Sequence, residues 1–162
     1  MYLTLAMCPD ISYMVNQLAQ FTLNPKTIHW TAVKKIFRYL KQTRNTTLTY
    51  GGEDTEIQNM DLNFFYDADW GNGSNWKSVS CYVTIIARGA IAWSSKKQQT
   101  VALSTAEAKY ITATHVTKQV LWHQSLYLEL NFSLLTTFTI FPITKQLSPY
   151  HTTQNSMHVQ NI

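Results

Sequence analysis

The first part of the chain carries hydrophobic residues at the spacing of amphipathic helices. One set follows Asp10, a residue type that caps helix N-termini, and comprises Ile11, Met14, Val15 and Leu18. The dipeptide Asn24-Pro25 then interrupts the pattern. A second set follows it and comprises Val33, Ile36, Phe37 and Leu40. We therefore predict two helices in this part of the chain.

From residue 46 the apolar residues follow a shorter, strand-like spacing. This pattern predicts strands over residues 46–50 and 60–66, with Leu62 and Phe64 on one face of the second. A last strand is predicted over residues 136–141, where the run ends at a proline.

A hairpin is predicted between two apolar runs, residues 82–87 and 90–94. They are separated by Arg88-Gly89, and glycine tolerates the positive φ that a tight turn requires. We expect Gly89 to supply that conformation.

A long helix is predicted after residues 95–100. Ser104 followed three positions later by Glu107 forms a capping box, in which each side chain bonds a backbone N–H of the other. We expect the buried face to continue through Tyr110, Ala113, Thr117, Leu121 and Leu128.

This order of elements predicts a mixed α/β fold behind a helical appendage. We divide the chain into a helical segment over residues 1–45, a mixed domain over 46–144 and a tail over 145–162. The tail is polar and has little apolar periodicity, so we expect it to be poorly ordered.

The composition is that of a folded domain with a basic surface. Hydrophobic residues make up 45% of the chain and charged residues 14%, which is the reverse of a disordered segment. The formal charge is +4, which favours a polyanionic partner. Lys34, Arg38 and Lys41 crowd the polar face of the second predicted helix, so this face either contacts nucleic acid or is simply solvated.

Several classes of protein are disfavoured by what the sequence lacks. Its two cysteines, Cys8 and Cys81, have neither zinc-ligand nor disulfide spacing. No apolar run is long enough for a membrane span, and the N-terminus lacks the pattern of a signal peptide. We therefore expect a soluble, intracellular protein without a membrane partner.

The acidic residues are the candidate metal ligands, because phosphodiester hydrolysis by two metal ions needs several converging carboxylates. Asp67 and Asp69 follow the strand predicted over 60–66, and we expect only one of them to join a given site. Glu107 is already explained by the capping box. After Glu129 the sequence contains no Asp or Glu, so its C-terminal part cannot complete a multi-carboxylate site.

Several ordered motifs resemble the Pol polyproteins of Ty1/copia retrotransposons. The region up to residue 41 resembles the end of their reverse transcriptase region, through Pro9-Asp10-Ile11-Ser12-Tyr13, His29-Trp30 and Arg38-Tyr39-Leu40-Lys41. Later motifs resemble their RNase H domain: Asp67-Ala68-Asp69-Trp70, Trp93-Ser94-Ser95-Lys96-Lys97-Gln98 and Thr100-Val101-Ala102-Leu103-Ser104.

The resemblance implies an RNase H-like mixed sheet whose first three strands are antiparallel, packed with helices. It also implies Mg²⁺-dependent hydrolysis of the RNA strand of RNA–DNA hybrids, with four carboxylates as ligands. The polymerase active site of such a polyprotein would lie upstream of this sequence, so we expect no polymerase activity.

Carried over by position, the family's carboxylates are mostly missing. The first corresponds to Asp67, which is the expected metal ligand. The second falls at Lys109, with Glu107 as the alternative, and an ammonium at 109 is expected to pair with Asp67. The third falls at Ile143. The fourth follows His158-Val159, where the chain continues with Gln160 and Asn161.

These departures favour a degenerate RNase H-like domain without catalytic activity, a pseudoenzyme of transposable-element origin. Two alternatives remain open beside a remnant that has no selected role. One is an active Mg²⁺-dependent RNase H. The other is a non-enzymatic module that binds hybrid or other nucleic acid through Lys96, Lys97 and the basic helix.

Overall fold

The structure is a computed structural model that describes residues 2–51, 61–71, 75–131 and 138–143, together with the backbone of 157–159. Within these residues a mixed sheet has the strand order β3-β2-β1-β4-β5. Its strands are β1 Leu62–Asp69, β2 Val79–Ile86, β3 Gly89–Lys97, β4 Phe138–Pro142 and β5 Met157–Val159. β2 is antiparallel to both β1 and β3, β4 is parallel to β1, and β5 is antiparallel to β4. The prediction of a mixed α/β fold is confirmed.

The helices are α1 Tyr2–Ala6, α2 Ser12–Ala19, α3 Thr27–Gln42 and α4 Thr105–Glu129, with a 3₁₀ turn at Pro9–Ile11. The two helices predicted before residue 45 correspond to α2 and α3, and α1 is an additional short helix. Its Thr4 carbonyl accepts a hydrogen bond of 2.6 Å from the Trp93 indole N–H, which ties the N-terminus to β3.

The core lies between α4 and the sheet. Its buried members come from β1, α4 and β4, and are Leu62, Phe64, Val116, Val120, Phe138 and Ile140. The predicted strand face bearing Leu62 and Phe64 is therefore confirmed.

The predicted buried face of α4 is wrong. Tyr110, Leu121 and Leu128 are 74%, 51% and 70% exposed. The helix instead buries a stripe of smaller side chains and one histidine, namely Ala108, Thr112, Val116, Val120 and His123. The spacing of the large hydrophobic residues predicted the wrong face of α4. A helix lying flat on a sheet needs small and β-branched side chains for a close approach.

Two strand predictions also need correction. Residues 46–50 form no strand. They are irregular, and the Tyr50 hydroxyl contacts the hairpin by donating to the Ala90 carbonyl at 2.8 Å. The strand predicted over 60–66 is β1, and it extends to Asp69, so Asp67 lies within the strand rather than after it.

The predicted hairpin is present, but glycine does not supply its positive φ. The two turn residues are Ala87 and Arg88, with φ of 47° and 66°, and Gly89 pairs with Ile86 as the first residue of β3. Gly89 is needed for space instead, because a Cβ there would collide with the Tyr50 ring and lie 2.8 Å from the Thr49 carbonyl oxygen.

The tail predicted over 145–162 lies outside the described residues, except for β5. The boundaries drawn at residues 45 and 144 stay predictions. Within the part of the chain that the structure describes, no helix is both long and apolar enough to cross a membrane.

Candidate active site

Asp67 lies near the end of β1, opposite Cys81 of β2. Its Oδ1 accepts a hydrogen bond from the Ala68 N–H at 2.9 Å and lies 3.6 Å from the Nζ of Lys109. Both side chains are 36% exposed, so the pair sits at the surface of the domain. The ion pair expected from the sequence is thus present.

The start of α4 determines which of its residues faces Asp67. Ser104 caps the helix by accepting from the Glu107 N–H at 3.1 Å, and Glu107 Oε2 accepts from the Leu103 N–H at 2.6 Å. The predicted Ser104 cap is therefore confirmed, but the reciprocal bond of a capping box is replaced: the Glu107 carboxylate accepts from the N–H of Leu103 rather than from that of Ser104. Two positions along a helix correspond to about 200° around its axis, so Glu107 faces away from the side on which Lys109 meets Asp67.

Ile143 comes directly after β4, in the register that the parallel pairing imposes. Pro142 lies beside Tyr66, and the Ile143 N–H donates to the Tyr66 carbonyl at 2.8 Å. Ile143 and Asp67 consequently line the same cavity, which has a volume of about 190 Å³. Three of the positions predicted from the sequence are brought together; the fourth, at residues 160–161, lies outside the described residues.

The expectation that only one of Asp67 and Asp69 can join a site is wrong. Residues two apart in a strand point to the same face, and both carboxylates lie on the side of the sheet where α2 packs. Tyr13 of α2 lines the cavity beside Asp67, and its hydroxyl donates to Asp69 at 3.2 Å. Sequence reasoning missed Tyr13, because this contact joins residues 56 positions apart and depends on how α2 docks.

Two further groups in this cavity stay protonated near neutral pH. Burial raises the pKa of the Cys81 thiol, and the charges of Asp67 and Asp69 raise it further against the opposing hydrogen bond to Ser95. Burial and then Asp69 likewise raise the pKa of the Tyr13 phenol. A neutral thiol is a poor nucleophile, so Cys81 is not an activated cysteine.

The arrangement does not fit a magnesium site. Mg²⁺ binds carboxylate and water oxygens in octahedral geometry, and a two-metal centre needs several carboxylates. Here one carboxylate faces an ammonium, the other a phenol, and Ile143 offers no ligand atom. Among the residues that the structure describes, no three His, Cys, Asp or Glu side chains are grouped to hold a metal ion.

The basic residues predicted to contact nucleic acid fall into two places. Lys96 and Lys97 end β3 and line a second cavity of about 470 Å³ with residues of α4. Lys34, Arg38 and Lys41 are exposed on α3 and line neither this cavity nor the one at Asp67.

Comparison with known proteins gives several retrotransposon polyproteins as relatives over most of the chain. It is 40% identical over 131 residues to the retrovirus-related Pol polyprotein from transposon TNT 1-94 of Nicotiana tabacum, covering 80% of this chain and 10% of that protein. It is 35% identical over 127 residues to the corresponding polyprotein from transposon RE2 of Arabidopsis thaliana, covering 78% and 8%. The chain therefore spans about a tenth of the length of these polyproteins.

A shorter relative matches over most of its own length. The chain is 38% identical over 123 residues to the secreted RxLR effector protein 161 of Plasmopara viticola, covering 75% of this chain and 84% of that protein. No protein-family model and no solved structure matches significantly. From the shared sequence, the chain belongs to the retrovirus-related Pol polyproteins of Ty1/copia-type transposons.

Proposed function

We propose that this chain is a degenerate RNase H-like domain of a copia-type element, one that has lost the ability to hydrolyse RNA–DNA hybrids. The observation that carries the proposal is the Lys109 ammonium 3.6 Å from the Asp67 carboxylate, at the position where the family resemblance implies a second carboxylate.

The topology supports the RNase H-like assignment. The resemblance implies a mixed sheet whose first three strands are antiparallel, and β1, β2 and β3 pair in that way with β4 parallel to β1. The convergence of Asp67, Lys109 and Ile143 at the ends of β1, α4 and β4 supports the residue-by-residue carry-over, because a metal site requires those positions to meet.

The chemistry of the substituted side chains accounts for the loss of hydrolysis. A two-metal mechanism places divalent cations about 3.5–4 Å apart between carboxylates. An ammonium in that position repels the cations and gives Asp67 a partner that competes with them. Ile143 adds an apolar side chain where an oxygen ligand is needed, so the site is deficient in both charge and ligand number.

A hydrolysis assay on a labelled RNA–DNA hybrid tests the proposal. With Mg²⁺ or Mn²⁺ present, we expect no cleavage above the level of an Asp67→Asn control. Cleavage by the natural chain that disappears in Asp67→Asn would contradict the proposed inactivity and establish an active ribonuclease.

Restoration tests the positional assignment separately. Lys109→Glu combined with Ile143→Asp returns two carboxylates to the cavity, and we expect Mg²⁺-dependent cleavage to appear. Glu107→Gln in the restored background is the matched control, and it should leave that activity in place because Glu107 serves the helix cap. A folded double variant without activity would show that the positions are wrongly assigned.

Nucleic-acid binding without hydrolysis is a second candidate, favoured by the clustering of Lys96 and Lys97 beside α4. Affinity for hybrid or duplex should fall with rising salt, because phosphate contacts release counterions. Lys96→Ala with Lys97→Ala should weaken it more than Lys34→Ala with Lys41→Ala. Equal affinity in all forms would contradict the placement of binding at Lys96 and Lys97, and absence of binding by the natural chain would remove this function.

A further inference from the structure

The second cavity lies between the end of β3 and the middle of α4, and we call it the basic cleft. Its lining comes from both elements, with Lys96, Lys97, His115 and Lys118 as its basic members. Its volume of about 470 Å³ is within the range of ligand-binding pockets, roughly 300–1,000 Å³. It shares no lining residue with the cavity at Asp67.

Among the residues that the structure describes, no carboxylate neutralises the charge of the basic cleft. No Asp or Glu is among its lining residues. In the described ranges the one ion pair is Lys109 with Asp67, so Lys96, Lys97 and Lys118 form none with a described carboxylate. Lys97 donates instead to the neutral Gln20 side-chain oxygen at 2.9 Å. Three ammonium groups around one concavity produce a positive potential that an anion would relieve.

The walls of the basic cleft are fixed by a buried glutamine rather than by the lysines. Gln98 is 6% exposed, and its backbone N–H donates to the Ser78 carbonyl at 2.8 Å. Its side-chain Nε2 donates to the Ser80 hydroxyl at 2.9 Å and to the Ala108 carbonyl of α4 at 3.0 Å. These bonds join the end of β3 to α4, so the basic side chains project from a rigid frame.

The pKa of His115 depends on the charge inside the basic cleft. Its ring lies against Tyr82 of β2, at a centroid distance of 5.6 Å. Burial lowers the pKa of His115, and the charges of Lys96 from β3 and Lys118 from α4 lower it further. Lys97 is the other cation lining the same space. An anion bound between these groups would oppose the lysines and raise that pKa.

We propose that the basic cleft binds a backbone phosphate of a nucleic-acid strand, with Lys96 and Lys118 as its charge partners. The inference rests on the proposed nucleic-acid binding but not on the loss of hydrolysis. It assigns a role to Lys118 and His115, which the sequence motifs did not single out.

Titration of the His115 ring resonances by NMR tests the chemistry of the basic cleft. Inorganic phosphate and a short single-stranded DNA oligonucleotide are added separately, each at constant ionic strength maintained with chloride. We expect both to shift the His115 resonances and to raise its pKa, while His123, buried in the core, is unaffected. Unchanged His115 resonances with both additions would overturn the proposal. A response to phosphate but not to the oligonucleotide would overturn its assignment to nucleic acid.

A pair of matched charge variants locates the contact. Lys118→Gln and Arg44→Gln each remove one exposed positive charge, and Arg44 lies far along the chain, after α3. We expect Lys118→Gln to weaken oligonucleotide binding about three- to tenfold. The slope of log affinity against log salt should fall by about 0.7. Arg44→Gln should change either quantity much less.

The Lys118→Gln and Arg44→Gln variants also distinguish failure of the proposed phosphate site from failure of nucleic-acid binding. If the natural chain binds the oligonucleotide and both variants weaken it equally, the basic cleft is not the site while binding itself stands. If the oligonucleotide does not bind at all, the binding function fails, and the phosphate titration alone decides whether the basic cleft accepts an anion.

Discussion

Helices α3 and α4 differ in how their sequence pattern relates to what they bury. The apolar stripe of α3 is regular, yet none of its residues is buried, and Trp30 and Phe37 are 62% and 65% exposed. α4 has a weak stripe, yet five of its residues are buried against β1, β2 and their neighbours. The apolar pattern thus favours a helix, whereas burial depends on the surface available to pack against.

The contacts of α3 explain this difference. It packs on α2 and on the segment before it, through the Tyr39 hydroxyl bonded to Asp10 at 2.6 Å and the stacking of His29 on Phe21 at 4.0 Å. α2, in contrast, reaches the sheet through Tyr13 and Asp69. The described part of the chain therefore has a body made of the sheet, α4 and α2, with α3 attached to its outside.

The largest expected effect comes from removing one phenylalanine ring in each region. Phe64→Ala should lower the free energy of unfolding by about 3–5 kcal/mol, because Phe64 is fully buried against α4. Phe37→Ala should change it by less than about 1 kcal/mol, because the ring is already in solvent. Urea denaturation of both variants measures this, and similar losses would refute the division into body and attached helix.

In the body, features that depend on adjacent residues could be predicted from the sequence. Features that depend on tertiary packing were harder to predict. Ser104, Glu107 and the hairpin were read from short motifs, since a cap and a two-residue turn depend on adjacent residues. The buried face of α4 was misjudged, because the sheet selected Ala108 and Thr112 over larger residues. The strand predicted over 46–50 failed because that segment bonds to the hairpin turn through Tyr50 and Gly51 rather than along a ladder.

The candidate site was predictable in its separate positions but not in its surroundings. Asp67, Lys109 and Ile143 were placed by the resemblance, and the structure brings the three together. The place of Tyr13 in the cavity could not be predicted from the sequence, because it depends on the docking of α2. The sharing of one face by Asp67 and Asp69 follows from strand geometry alone, so the sequence is sufficient to predict it.

A substitution at Gly89 tests whether residues 49–50 pack as part of the body. Gly89→Ala should destabilise by about 1–3 kcal/mol, because its Cβ would displace Tyr50 and the Thr49 carbonyl from the hairpin. Gly51→Ala is the matched change. Its φ is +78° but no atom lies within 4 Å of the added Cβ, so backbone strain of about 1 kcal/mol is expected. Thermal unfolding of both compares them; a larger loss at Gly51 would place residues 49–50 outside the body.

The helix caps provide a smaller contrast between the two regions. Ser104→Ala should cost about 1 kcal/mol, because the Glu107 N–H loses its acceptor. The N-cap of α3 is Lys26, whose ammonium cannot accept a hydrogen bond, so Lys26→Ala should change stability by less than about 0.5 kcal/mol. Chemical denaturation with circular dichroism measures both. An equal loss at Lys26 would mean that the two helix starts contribute alike.

The smallest expected effect is a pH dependence originating in the basic cleft. The pKa of His115 is lower in the folded chain than its ordinary 6.5, so the unfolded chain takes up a proton first as pH falls. Stability should therefore decrease as pH falls through this region and recover above it. His115→Gln should flatten the dependence, and Lys118→Gln should reduce it in part. A slope that is unchanged in His115→Gln would assign the effect to other groups.

The ion pair of Lys109 with Asp67 also changes how the fold responds to its ionic surroundings. In a cluster of carboxylates, mutual repulsion is relieved only when a free cation enters, so folding is linked by mass action to the cation concentration. Here the counter-ion is attached to α4, and it is present whenever the chain folds. The melting temperature should consequently be indifferent to magnesium or to a chelator, whereas in Lys109→Glu with Ile143→Asp it should rise with magnesium. A substitution that ends a metal-dependent reaction can thereby leave the scaffold independent of the metal.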